Sequence, residues 1–283
     1  MHKHKLTDRY PVGGALLTGI LMMLLREAIS SVPTVAEALL RGRVSGITHL
    51  LYMVIGTAAV YMLYRRWFSP EFKGLLKGHL AEGLKLCWPL AAYWIVTIPA
   101  MYFSHALEIK PLTLEIVSVS LTAGMVEELA FRHGVVSTMM KNLCREDSII
   151  RICLTSSVFF GAYHALNILS GANVLSTLVQ VVTAGCMGVF FAAVFIRTGN
   201  ILPGIIAHAL HDILAICTTP TVSSSGIVTG GVNISDLADV ILCLLIAFIC
   251  LRVFLGKDHR SKIVARWDSV WGRNGDEKES PEG

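Results

Sequence analysis

Eight long apolar runs divide the chain, near residues 12–32, 44–64, 86–103, 112–140, 148–169, 174–196, 200–217 and 236–254, and charges or clusters of Gly, Pro and Ser separate them. A stretch of about 20 apolar residues is what a helix needs to cross a bilayer's hydrocarbon core of about 30 Å. The pattern therefore predicts an all-α, polytopic bundle of about eight transmembrane helices. Because the runs are continuous and do not alternate, they argue against an outer-membrane barrel. One transmembrane domain over residues 12–256 is expected, with its chemistry in a core at 112–217. A short segment (1–11) precedes it and a polar tail (257–283) follows. The first run is unusual, since Arg26 and Glu27 follow only 14 mostly apolar residues. With Lys3, Lys5 and Arg9 ahead of it and small residues from Ala28 to Ser30, it competes with a signal peptide; we read it as an uncleaved span.

Composition narrows the class further. Of 283 residues, 54% are apolar and 16% are charged, against roughly a quarter charged in soluble domains, and the mean hydropathy is +0.62. Soluble Rossmann or TIM-type enzymes, disulfide-stapled secreted domains and disordered chains do not have this balance. A net charge of +4 is too mild to suggest nucleic acid. Seventeen Lys or Arg fall in segments on the side of the termini and three, Arg41, Arg43 and Lys110, on the other, so the positive-inside rule places both termini in the cytoplasm of a multi-pass cell-membrane protein. The seven cysteines lie in or beside apolar runs without a CxxC pair and read as small core residues. The segment from Arg65 to Lys85 mixes Trp67, Phe68, Phe72, Leu75, Leu76 and Leu80 with basic residues, as an interfacial anchoring helix does. The Ser, Thr and Gly-rich stretch from Thr218 to Ser235 reads as an external loop, and the polar end from Gly272 as disordered.

An ionisable group inside a bilayer costs about 2.5 to 3.5 kcal/mol on insertion scales and is a functional candidate by default. The fourth run carries Glu127, Glu128 and Arg132, the fifth His164, and the seventh His208, His211 and Asp212. Positions four apart share a helix face. Glu128 and Arg132 are such a pair, whether as a packing ion pair or in support of chemistry, and Glu127 is left without a partner in its own helix. An unpaired buried carboxylate is too costly to keep without use. His208 and Asp212 are also four apart; the carboxylate either orients the imidazole or faces the same ligand, and a purely structural hydrogen bond fits equally. Taken alone, His164 and His211 read as core histidines, and His133 has no assigned role. A free Glu, histidines and an Asp on three helices suit general-base activation of water and stabilisation of an oxyanion.

Glu127-Glu128-x-x-x-Arg132, Phe160-x-x-x-His164 and His208-x-x-x-Asp212, in that order along about eight helices, resemble the CPBP family of intramembrane proteases. These are the type II CAAX prenyl endopeptidases and their bacterial relatives in bacteriocin processing and immunity. The resemblance implies an endopeptidase that hydrolyses a peptide bond of a membrane-associated protein or peptide. It makes Glu127 the base, with His164 beside it, His208 and Asp212 the oxyanion stabilisers, and Glu128 with Arg132 the support. The family's best-studied pattern has Asn where Asp212 stands, and an ionised Asp repels an oxyanion, so Asp212 is expected either to be protonated or to orient His208. The family was first described as metalloproteases, and zinc on Glu127, His164 and His208 is chemically adequate. A glutamate mechanism needs no metal, however, and there is no HExxH, so no cofactor is expected. Two rivals from other classes use the same charges: a proton-coupled transporter, and a non-catalytic protein for bacteriocin immunity or sensor-kinase regulation.

Overall fold

Where the structure describes them, the eight apolar runs are largely helical. The computed structural model describes residues 6–40, 46–63, 65–66, 78–223, 228 and 230–271. The central part of the expected interfacial helix and the end from Gly272 lie outside these. The helices in chain order are α1 (Leu6–Arg9), α2 (Pro11–Ser30), α3 (Val32–Leu40), α4 (Gly46–Leu63), α5 (Leu80–Leu86), α6 (Trp88–Phe103) and α7 (Leu114–Glu127). There follow α8 (Ser137–Leu143), α9 (Ile149–Tyr163), α10 (Val174–Thr198), α11 (Leu202–Thr218), α12 (Ile234–Ile249) and α13 (Lys257–Trp271). A π-helical segment, Glu128–Val136, joins α7 to α8, a 3-10 segment, His164–Ser170, extends α9, and a π segment, Cys250–Phe254, extends α12. Among the described residues an isolated bridge between Val222 and Val228 takes the place of any sheet.

Local sequence sets the ends. Pro11 and Pro203 open α2 and α11 in the first turn, where a missing N–H costs nothing. The Thr113 and Asn173 side chains cap α7 and α10 by accepting from free backbone N–H groups, and α10 stops at Gly199, in the left-handed region at φ 68°.

Among the described residues five helical stretches are long and apolar enough to cross a membrane: Pro11–Leu40, Leu80–Phe103, Ile149–Ser170, Val174–Thr198 and Ile234–Phe254. Two shorter apolar helices, Ile47–Leu63 and Leu202–Thr218, accompany them. The continuous helix from Leu114 to Leu143 is equally long, but it carries Glu127, Glu128 and Arg132. Large apolar side chains such as Ile95, Phe103, Val158 and Phe248 stand exposed, as lipid-facing positions require, because the backbone there is already satisfied within the helix. The molecule is a helical membrane bundle.

α10 is the most buried of the long helices and packs most extensively against α9. Small residues allow that approach: a Cβ on Gly161 would lie 2.6 Å from the Val181 carbonyl oxygen. Phe190, Phe191 and Phe195 of α10 fill the centre. The first fifteen residues of the polar tail form α13. Ile263 and Trp267, one turn apart, are buried, and the Trp267 indole N–H donates to the Ile196 carbonyl at 2.8 Å. Beside them Arg197 and Arg266 both pair with Glu82 at 3.3 Å.

Candidate active site

The site is made by α7 meeting α11. A Cβ on Gly124 would lie 3.1 Å from the Ala209 nitrogen and 3.2 Å from the Ile205 carbonyl oxygen, so the absent side chain is what lets the two backbones meet. One turn after Gly124 comes Glu127, and next to Ala209 is His208. The helix then widens into the π segment at Glu128, a device common at functional sites.

Two consecutive carboxylates consequently address one imidazole. Oε1 of Glu128 lies 3.1 Å from His208 Nδ1, and Oε2 of Glu127 lies 3.7 Å from His208 Nε2. The other oxygen of Glu128 is 3.2 Å from Nε of Arg132, the i, i+4 pair expected from the sequence. Glu128 and Arg132 are both fully buried. The guanidinium lies 4.4 Å from the Phe160 ring centroid and 5.4 Å from that of Phe191, so two aromatic faces supplement the carboxylate. Phe191 also stacks on His208 at 4.7 Å. Gly204 makes room for Glu128, since a Cβ there would sit 2.9 Å from its Oε2.

Asp212 Oδ2 is 3.8 Å from His208 Nε2, beyond hydrogen-bond length. Glu128, not Asp212, therefore holds the imidazole on Nδ1, and Nε2 is flanked by the carboxylates of Glu127 and Asp212 without a bond to either. His164 is placed by its own helix: its Nδ1 lies 2.9 Å from the Phe160 carbonyl oxygen, an acceptor, so Nδ1 carries the proton and Nε2 is the acceptor nitrogen.

Glu127, His164, His208 and Asp212 all line one cavity of about 470 Å³, and the Oε2 of Glu127 is buried there without a hydrogen-bond partner. Glu128 and Arg132 lie behind the wall. His133 is buried elsewhere, 3.5 Å from the Ser137 hydroxyl. Sequence reasoning missed several lining residues, among them Tyr93, Trp94, Tyr163 and Asp239, and it read His211 as core although it too lines the cavity. Arg26 and Glu27, conspicuous charges in the first span, pair with each other at the cavity wall, and the Tyr163 hydroxyl reaches Glu27 at 3.5 Å. Among the described residues no three His, Cys, Asp or Glu side chains converge as a metal-ligand set. The donors Glu127, His164 and His208 share one cavity.

A transmembrane helical bundle with ionisable groups gathered on one cavity defines the class, a multi-pass membrane protein with a polar site. Residues 109–214 match the family model of the Rce1-like type II CAAX prenyl endopeptidases. The matched stretch contains all three motifs, and it bears out the resemblance to the CPBP and CAAX proteases. Comparison with curated proteins and with solved structures returned no significant match.

Proposed function

We propose that the protein is an intramembrane endopeptidase in which Glu127 deprotonates the attacking water. The observation that supports this most is the Glu127 Oε2, buried without a hydrogen-bond partner on the cavity wall, 3.7 Å from His208 Nε2. A carboxylate left unsatisfied in this way has a proton-accepting site ready for a water.

In this reading a water sits against Glu127, with the acceptor Nε2 of His164 on the same cavity helping to orient it. Glu127 takes one proton as the water oxygen bonds to the scissile carbonyl carbon, and the carbonyl electron pair moves onto its oxygen. The oxyanion is met by Nε2–H of a protonated His208, whose Nδ1–H is held by Glu128, and by Asp212 acting as a protonated donor. Collapse re-forms the C=O and breaks the C–N bond, and the proton held by Glu127 passes to the departing amine. Every proton is accounted for without a metal. Arg132 pairs with Glu128 and holds it in place, and so acts through His208 as a positioning residue.

The substrate class is a membrane-associated peptide or protein, presented from the bilayer of the cell membrane. Comparing the membrane peptides of cells that express wild type or Glu127→Ala tests the assignment. The expected result is that a defined set of fragments disappears in the variant and its precursors accumulate; identical peptide profiles would contradict it.

A further inference from the structure

The cavity wall formed by α6 and α12 has features that the hydrolytic step does not use. Asp239 of α12 accepts a hydrogen bond from the Tyr93 hydroxyl on its Oδ1, which leaves Oδ2 for another group. Tyr93 and Trp94 form an edge-to-face pair at 5.0 Å, and Trp94 packs on the His211 ring at 5.4 Å. Trp94 is only 8% exposed, yet its indole N–H has no acceptor, and His211 Nδ1 is likewise buried and unbonded. An unmade hydrogen bond on a buried donor costs about 1–3 kcal/mol, so an acceptor supplied from the cavity is the natural complement.

The charges give the second half of the argument. Among the described residues the lining contains five carboxylates, Glu27, Glu127, Asp212, Asp236 and Asp239, and one permanent cation, Arg26. Arg26 is matched by Glu27, and Asp236 caps α12 through the Asn233 nitrogen. Glu127 and Asp212 face His208. Among the described residues neither Asp236 nor Asp239 has a cationic counterpart, but Asp236 is engaged in the cap, whereas Asp239 keeps Oδ2 open beside the Tyr93 ring, which Trp94 adjoins edge to face; aromatic rings of this kind favour a cation. A bare metal ion does not suit a wall that also presents an N–H donor. A peptide residue with a basic side chain suits it, because one residue supplies both a cation and a carbonyl acceptor.

Building on the peptidase reading, we propose that Tyr93, Trp94, His211 and Asp239 form a substrate subsite that takes a Lys or Arg side chain at Asp239 and an adjacent peptide carbonyl at the Trp94 indole N–H. The enzyme then selects membrane peptides with a basic residue near the cleaved bond.

The test is capture of an apolar peptide library by full-length Glu127→Gln protein in detergent micelles. One position of the library holds Lys, Arg, Gln, Met or Glu, and each peptide is made with a free and with an acetylated N-terminus. Because binding is read without turnover, the result is independent of whether wild type cleaves anything. Lys and Arg peptides should be enriched about tenfold over Gln, Met and Glu regardless of acetylation. Adding Asp239→Asn should abolish that preference, whereas adding Trp94→Phe should weaken all peptides several-fold and keep it. Enrichment of neutral or acidic peptides, enrichment that requires a free N-terminus, or a basic preference untouched by Asp239→Asn would overturn the proposal. Should Asp239→Asn fail to fold, the preference of the Glu127→Gln protein and its persistence with Trp94→Phe decide the matter.

Discussion

Oε1 of Glu128 lies 3.1 Å from Nδ1 of His208, which is 80 positions further along the chain. The contact fixes the imidazole from behind the cavity wall and turns its Nε2 edge toward Glu127 and Asp212. Because the same carboxylate also faces Arg132 at 3.2 Å, one group joins the ion pair of α7 to the imidazole of α11.

Glu128→Gln should therefore destabilise the protein as well as impair it. Gln keeps the shape but leaves the Arg132 guanidinium buried opposite a neutral amide, and breaking a buried pair costs about 3–5 kcal/mol. Thermal unfolding in detergent should show a clearly lowered midpoint. The double variant Glu128→Gln with Arg132→Met, which removes the stranded charge, should recover most of the loss. An unchanged midpoint in the single variant would mean that the pair carries no stability.

Asp212→Asn should retain activity within several-fold. Glu128 rather than Asp212 holds His208 on Nδ1, so the Asp212 carboxylate is not needed as an orienting acceptor, and Asn supplies an amide donor at the same place. The measurement is the pH profile of cleavage for both proteins. A loss of several orders of magnitude at every pH, as when a triad carboxylate is neutralised, would show that Asp212 acts as an ionised acceptor.

The periodicity of the sequence made part of this site legible. Glu128 with Arg132 and His208 with Asp212 each lie one helical turn apart, and simple helix geometry puts each pair on one face. The meeting of Glu127 and Glu128 with His208 was not legible in that way. It depends on Gly124 admitting the α11 backbone, on Gly204 leaving space for a carboxylate, and on the π segment that begins at Glu128, none of which a regular-helix reading contains. His211 was read as core because it departs by about 60° from the His208 face; the cavity is wide enough to take in both faces. The helical bundle followed from the apolar runs, whereas α13 was hidden because Ile263 and Trp267 stand among Lys257, Asp258, Arg260, Lys262 and Arg266.

Metal removal separates a glutamate mechanism from a zinc mechanism. Protein purified to well below one metal per chain should cleave at the full rate, and added chelator should leave it unchanged. A tightly bound zinc whose removal stops turnover and whose return restores it would overturn the metal-free reading.

The central claim is that Glu127 is the proton acceptor. It is tested most directly by the cleavage rate of purified Glu127→Gln protein in lipid, measured beside its thermal midpoint. Gln has nearly the same shape but cannot accept a proton at working pH, so cleavage should fall to background while the midpoint stays close to wild type. Activity that survives in Glu127→Gln at more than a few per cent of wild type, with the protein folded, would contradict the account.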